Sequence, residues 1–232
     1  MVACHFLIAA AGKGKRMGLD YNKLLIPLQG KTVLEWTLQA AEQARTVVWI
    51  GVIGQECDRA VILPMLQRLS KPWQWIEGGE TRQDSVFNGL QALPPEASYV
   101  LIHDGARCLI SPALIDRCAL TLLEHPALIC AVPVKDTIKV VQDRQVVDTP
   151  DRSLLWSAQT PQGFHVQMIK DAHLQAKQHH WTVTDDSALA EKLGIAVAIV
   201  EGEETNIKIT TPQDLVFAAT ILQQRKAKGD MA

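Results

Sequence analysis

Short runs of apolar residues alternate along this chain with longer segments in which apolar positions recur every three or four residues. The first pattern is typical of buried strands and the second of amphipathic helices. Strands are predicted at 6–10, 47–53, 73–76, 99–103, 129–134 and 195–200. Helices are predicted at 33–44, 58–69, 85–93, 112–124, 165–178, 186–193 and 212–225. This alternation predicts an α/β fold whose sheet is mainly parallel and doubly wound, with helices on both faces.

Three of the predicted helices carry start signals. The segments "SPALID" and "TPQDL" each place a hydroxyl residue before a proline, which suits the cap and the first helical position. Thr81 and Asp84 have the spacing of a capping box.

Residues 136–160 depart from the alternation. The segment "DTIKVVQDRQVVDTPDRSLLW" contains strand-like pieces around a polar turn, and no helical pattern separates them. This predicts a β-hairpin arm that protrudes from a single domain of residues 1–232. A lone hairpin with Val140, Val141, Val146 and Val147 is marginally stable, so we expect the arm to pack against a second copy of the chain as a dimerisation subdomain.

Composition narrows the possible partners. The chain has 232 residues, of which 47% are hydrophobic and 21% charged, with a formal net charge of −2. A nucleic-acid-binding protein would normally carry a surplus of basic residues, so a site for anions has to be local.

The distribution of cysteine and apolar residues predicts a cytoplasmic protein. The five cysteines are scattered and include no CxxC pair, which favours reduced thiols over disulfides or a zinc site. No apolar stretch approaches the roughly 18 residues that cross a bilayer, and the cations near the N-terminus follow the apolar run, which differs from a signal peptide.

The segment "LIAAAGKGKRMG" joins an apolar run to a glycine-containing turn with three cations. It lacks the third glycine of a dinucleotide fingerprint, and it does not match the GxxxxGK[ST] loop. A glycine turn can still close its N–H groups around phosphate oxygens, while Arg16 and Lys23 balance charge that develops on a triphosphate. The alternative is a tight turn with solvated cations.

Seven segments, in this order and spacing, resemble the 2-C-methyl-D-erythritol 4-phosphate cytidylyltransferase family of the non-mevalonate isoprenoid pathway. They are "AAAGKGKRMG…NKLL", "GGETRQDSVFNGL", "VLIHDGARCLI", "PVKDTIK", "QTPQGF", "TDDSALAEKLG" and "VEGEETNIKITTPQDL". The resemblance implies a Rossmann-like, GT-A-type nucleotidyltransferase. It also implies an enzyme that converts CTP and methylerythritol phosphate to a CDP-alcohol and pyrophosphate with Mg²⁺.

The resemblance also implies roles for individual residues. The catalytic cations would be Arg16, Lys23, Arg152 and Lys208, with Arg152 reaching from the arm into the partner's site. The nucleotide would be bound by Ala10, Ala11, Gly12, Gly14, Gly78, Gly79, Glu80, Arg82, Ser85 and Asp104. The acceptor would meet Asp104, Arg107, Thr137, Arg152, Thr184 and Lys208, and Asp104 is the candidate metal ligand.

The sequence departs from common family forms at three positions. Asn22 stands where many members have proline, and Gly105 and Cys108 stand where "DAARP" is common. Cys108 is either a packing residue or an oxidisable thiol beside Arg107. None of these departures removes a charged group.

Other interpretations stay open at this point. A ribitol 5-phosphate cytidylyltransferase would share the CTP-binding half, and a regulatory nucleotide-binding protein could use the same fold. A GT-A glycosyltransferase would need a DxD motif where this chain has "HDG". His103 is interpreted as structural, and Asp185 and Asp186 as acids at a helix start.

Overall fold

A seven-stranded sheet forms the centre of the protein in the computed structural model, which describes residues 2–12, 17 and 20–229. The strands of the chain are β1 Cys4–Ala9, β2 Pro27–Leu28, β3 Lys31–Thr32, β4 Val47–Gly54, β5 Trp73–Glu77, β6 Tyr99–Asp104, β7 Ala127–Pro133, β8 Val140–Gln142, β9 Gln145–Asp148, β10 Trp156–His165 and β11 Val197–Glu201. The helices are α1 Val33–Gln43, α2 Glu56–Leu66, α3 Arg82–Gln91, α4 Pro112–Thr121, α5 Val166–Gln178, α6 Ser187–Lys192 and α7 Pro212–Lys228. Short 3-10 helices cover Lys23–Leu25 and Arg152–Leu154.

The order of strands in the central sheet is β11-β7-β10-β6-β1-β4-β5. Neighbouring strands run parallel except for β10, which is antiparallel to both β6 and β7. The prediction of a mainly parallel α/β sheet is therefore confirmed.

Helices cover both faces of this sheet because its strands are apolar on both sides. In β1, Phe6 and Ile8 belong to the core cluster beneath α1, α2, α4 and α7, whereas Leu7 belongs to the cluster beneath α3, α5 and α6. All three side chains are fully buried. The two-residue period of the strand thus places one apolar strand between two hydrophobic layers.

The predicted helix start signals are confirmed. The Thr81 hydroxyl accepts from the Asp84 N–H, and the Asp84 carboxylate accepts from Thr81 in return. Ser111 caps α4 by accepting from the Leu114 N–H, with proline at the first helical position. At the start of α7, the Asp214 carboxylate accepts from the Thr211 N–H.

Strand β10 is the strand of the central sheet that the sequence pattern did not predict. It runs through "WSAQTPQGFH" in the middle of the sheet, and its buried half includes Gln159, Thr160 and Gln162. Its first residues pair with β7, for example Trp156 with Pro133 and Ala158 with Ala131. The C-terminal end of the predicted 136–160 arm, from Trp156 onwards, therefore belongs to the central sheet, because its backbone groups pair with those of β7.

The hairpin itself consists of β8 and β9, which pair with each other outside the central sheet. Asp143 and Arg144 form its turn with φ of 48° and 64°, the positive values that short hairpin turns need. Val140, Val141, Val146 and Val147 are each 43–60% exposed. The arm thus presents apolar side chains that this chain leaves uncovered.

The structure also bears on the predictions about cysteines and membrane-spanning segments. Cys4, Cys57, Cys108, Cys118 and Cys130 are free thiols. Within the described ranges, no helix combines the length and apolar character that crossing a membrane would require.

Gly163 tests the position of β10 in the core. A Cβ atom at this residue would lie 2.8 Å from Cδ2 of Leu101 and 2.9 Å from Cγ of Leu128. Gly163→Ala should lower the free energy of unfolding by about 1–3 kcal/mol because the core must shift to accept the methyl group. Chemical denaturation measures this. Ser157→Ala, at an exposed position of the same strand, should change stability by less than about 0.5 kcal/mol; similar losses in both variants would contradict the placement.

Candidate active site

The candidate site lies where several parallel strands end. Ala9 ends β1, Gly54 ends β4, Glu77 ends β5 and Asp104 ends β6. The carboxyl ends of parallel strands in an open α/β sheet form a crevice in which ligands commonly bind. A cavity of about 330 Å³ lies at this edge.

Most of the predicted nucleotide-binding and catalytic residues come together around this cavity. Those that line it are Ala11, Gly12, Lys23, Gly79, Glu80, Arg82, Ser85, Asp104 and Lys208. They come from the loops after β1 and β5, from the 3-10 helix at Lys23–Leu25, from α3, from the end of β6 and from the segment after β11. The structure thus joins residues that are up to about 200 positions apart in the chain.

Asp104 is the centre of charge in the cavity. Its Oδ2 lies 2.6 Å from Nζ of Lys208, and its Oδ1 lies 3.4 Å from Nε of Arg82. Burial opposes ionisation of this carboxyl, but Arg82 and then Lys208 outweigh it and hold the pKa of Asp104 well below its ordinary value. The carboxylate is therefore ionised at neutral pH, and it links α3 to the 206–209 segment.

A chain of hydrogen bonds beneath Asp104 fixes its backbone. The Asp104 N–H donates to Oγ1 of Thr160 over 3.0 Å, and the same oxygen lies 2.9 Å from Nδ1 of His103. His103 Nε2 lies 3.2 Å from the Arg107 carbonyl oxygen. Because a carbonyl only accepts, Nε2 carries the proton, and Nδ1 accepts from the Thr160 hydroxyl. The structural interpretation of His103 fits these contacts.

The turn that carries Lys23 is held by Asn22. The Asn22 amide donates to the Ala10 carbonyl and to Oδ2 of Asp58, each over 2.8 Å, while its oxygen accepts from the Leu24 N–H. Nζ of Lys23 donates to the carbonyl oxygen of Ile209, the residue after Lys208. Lys23 thus contacts the segment that carries Lys208, and both lysines line the cavity.

The loop between β5 and α3 is shaped by close packing. Gly78 N–H donates to the Gly54 carbonyl over 2.8 Å, and a Cβ at Gly78 would lie 2.8 Å from Cβ of Ala11. The Ser85 hydroxyl accepts from Gly79 N–H and donates to the Thr81 carbonyl. Gly78 therefore allows the two loops to approach, and Ser85 fixes the loop that faces the cavity.

Other predicted residues lie away from this cavity. The guanidinium of Arg107 donates to the Asn206 and Ala158 carbonyls at 2.8 and 3.1 Å, so it links β10 to the 206–209 segment. Thr137 and Thr184 are exposed. Arg152 is also exposed, and it donates to the Lys135 carbonyl at the base of the arm.

The remaining predictions concern Ala10, Cys108, Gly14 and Arg16. Ala10 is buried behind the cavity wall, where its N–H donates to the Ile53 carbonyl. Burial raises the pKa of Cys108 to about 12, which favours the packing interpretation. Gly14 and Arg16 lie outside the described residues, so their predicted roles stay predictions.

The sequence did not indicate the contact between Asp186 and Arg82. Its side chain is 1% exposed and Oδ2 lies 2.9 Å from Nη1 of Arg82, although it was interpreted as an acid at a helix start. Gln55 and Thr81 also line the cavity without having been predicted. The position of Gln55 directly after a parallel strand was the signal that could have found it.

The chain is similar to known proteins over nearly its whole length. The family model described as IspD, 2-C-methyl-D-erythritol 4-phosphate cytidylyltransferase, matches residues 4–224. The chain belongs to this family. The 2-C-methyl-D-erythritol 4-phosphate cytidylyltransferase of Acaryochloris marina is 59% identical over 228 residues, which are 97% of this chain and 96% of that protein.

Two further similarities extend the comparison. The 2-C-methyl-D-erythritol 4-phosphate cytidylyltransferase of Synechococcus elongatus is 57% identical over 98% of this chain and 100% of its own length. The crystal structure of 4-diphosphocytidyl-2C-methyl-D-erythritol synthase from Anaerococcus prevotii has a TM-score of 0.87 at 34% identity and covers 96% of both chains. The IspD fold thus extends over nearly all of this protein.

The buried imidazole of His103 predicts a dependence of stability on pH. Burial lowers the pKa of His103 from 6.5 to about 4. Because the folded state disfavours the proton, the stabilisation is present above pH 6.5 and is lost as the pH falls toward 4. Between these values the free energy of unfolding should fall by up to about 3 kcal/mol from this group alone.

Urea denaturation from pH 7 to pH 4 measures this dependence. His103→Gln removes the titrating group, so its stability should fall less over this range than that of the wild type. His180→Gln, which removes an exposed histidine, is the matched control and should keep the wild-type slope. Equal slopes for the wild type and His103→Gln would contradict the prediction.

Proposed function

We propose that this protein is a 2-C-methyl-D-erythritol 4-phosphate cytidylyltransferase, which converts CTP and methylerythritol phosphate to 4-CDP-2-C-methyl-D-erythritol and pyrophosphate in isoprenoid precursor biosynthesis. Membership of the IspD family carries this conclusion. The cavity supports it, because Lys23, Arg82 and Lys208 converge there from three parts of the chain. Such a set of cations suits the meeting of two anionic substrates.

The reaction needs charge compensation more than a base. A phosphate monoester is largely ionised near neutral pH, so an oxygen of the acceptor phosphate can attack the α-phosphorus of CTP directly. The new O–P bond forms as the bond to the β-phosphate oxygen breaks, and pyrophosphate leaves. Positioning and electrostatic stabilisation then supply most of the rate enhancement.

The two halves of the site divide these tasks. The loops at Ala11–Gly12 and Gly79–Ser85 would hold CTP, and Lys23 with Arg16 would stabilise the negative charge around the α-phosphorus. Lys208, which lines the same cavity as Lys23, would orient the acceptor phosphate. Glu80 and Asp104 keep the cavity from accumulating excess positive charge before the substrates bind.

Mg²⁺ is the proposed cofactor. Among the described residues, no group of three or more histidine, cysteine or acidic side chains could hold a metal ion. Asp104 is an ionised carboxylate at the cavity wall, which fits the use of one protein carboxylate together with phosphate oxygens and water. The ion, when bound, would neutralise charge on the triphosphate.

A homodimer through the arm is the proposed assembly. The uncovered valines of β8 and β9 are what a second copy would cover, and Arg152 and Thr137 lie at the base of the same arm. Neither residue lines the cavity of its own chain, so they would serve the acceptor site of the partner. The cytoplasm stays the predicted location.

A pyrophosphate-release assay tests the reaction and both substrates. CTP, UTP and ATP are crossed with methylerythritol 4-phosphate and ribitol 5-phosphate, and we expect turnover with CTP and methylerythritol 4-phosphate. Faster turnover with ribitol 5-phosphate would transfer the assignment to the alternative acceptor. A lack of turnover with CTP and either acceptor would overturn the enzymatic assignment.

Mixed dimers test whether the arm completes the site of the partner. Lys23→Ala should lower kcat by about 10²–10³-fold because a charge that stabilises the transition state is lost, and Arg152→Ala should also weaken acceptor binding. Random mixing of the two variants should restore about a quarter of wild-type activity, since half of the dimers are mixed and each has one intact site. Lys226→Ala, at an exposed position of α7, is the control for loss of a lysine. No recovery on mixing would mean that both residues act in the site of one subunit.

A further inference from the structure

Asp186 is a buried carboxylate that does not cap its own helix. It precedes α6, and its side chain makes no capping hydrogen bond. The neighbouring Asp185 does this work, since its Oδ1 accepts from the Ala188 N–H over 3.1 Å. Two adjacent acids therefore have different tasks, and the task of Asp186 lies outside the helix.

One of the two contacts of Asp186 is Arg82, a residue that lines the cavity. Oδ2 lies 2.9 Å from Nη1 of Arg82, and Oδ1 lies 3.4 Å from Nε2 of His173, a buried residue of α5. The side chains of Asp186 and His173 are each 1% exposed. A carboxylate at this depth is costly unless it is paired, so its position is tied to the guanidinium.

Arg82 is held from two sides as a result. Nη1 contacts Asp186 away from the cavity, while Nε lies 3.4 Å from Oδ1 of Asp104, whose other oxygen contacts Lys208. Burial opposes the charge of Arg82, but Asp186 and then Asp104 outweigh it and raise the pKa of the guanidinium. Asp186, Arg82, Asp104 and Lys208 thus form a row of ion pairs in which negative and positive groups alternate.

We propose that Asp186 is a positioning residue for nucleotide binding, which holds the Arg82 guanidinium against the cavity wall where it meets CTP. The inference rests on the proposed function and adds a role that acts through Arg82. Without the Asp186 charge, Arg82 has one carboxylate partner left and turns towards Asp104. Both groups are then displaced from the geometry that CTP requires.

Asp186→Asn tests this inference because it keeps the size of the side chain and removes its charge. We expect KM for CTP to rise about tenfold, within the range of coupling between groups in one ion-pair network. Calorimetric titration with CTP alone should show the same loss of affinity. Asp185→Asn is the matched control, and it should leave KM for CTP unchanged.

A double-mutant cycle separates positioning from general stability. In an Arg82→Gln background, Asp186→Asn should change KM for CTP by less than about twofold, since the residue through which it acts is gone. Equal effects in both backgrounds, or an unchanged KM in the single variant, would overturn the inference. If Asp186→Asn does not fold, Asp186→Glu keeps the charge but displaces it, and the same two outcomes apply.

The outcomes distinguish this inference from the proposed function. A wild-type protein that turns over CTP with methylerythritol 4-phosphate, together with additive effects in the cycle, contradicts only the role of Asp186. A wild-type protein that binds CTP without turnover contradicts the proposed reaction, while the titrations still report whether Asp186 acts through Arg82.

Discussion

The ion pairs of Asp104 are the interaction on which the site depends. A cavity that receives two phosphorylated substrates needs several cations, and cations that face one another without anions repel. Asp104 solves this by lying between Arg82 and Lys208, at the end of the central strand β6. The carboxylate balances part of the positive charge and leaves Arg82 and Lys208 at the cavity wall, where phosphate groups would bind.

The position of Asp104 follows in turn from the reversed strand in the sheet. Because β10 runs antiparallel to β6, its Thr160 reaches the same edge as the carboxyl end of β6 and accepts from the Asp104 N–H. The Asn206 amide donates to the Thr160 carbonyl and to Gln159, which ties the segment bearing Lys208 to β10. A buried polar ladder thus joins both partners of the ion pair.

The sequence predicted the elements whose local residue pattern is strong. Strand β1 and helix α3 were found because an apolar run and a capping box are local signals. Strand β10 was not found because Gln159, Thr160 and Gln162 are polar yet buried, and their hydrogen bonds to distant groups replace the apolar pattern. Likewise the family resemblance named Arg82 and Asp104, but the contact of Arg82 with Asp186 joins residues about 100 positions apart, and no local pattern encodes it.

Asn22 shows how one structural need can be met by different chemistry. A proline would stiffen such a turn through its ring and would need no partner. Here the turn before Lys23 is held instead by an amide that bridges the Ala10 carbonyl and the Asp58 carboxylate. The stiffness of this turn therefore depends on two residues, Asn22 and Asp58. A substitution at either position alone would therefore leave the lysine less well held.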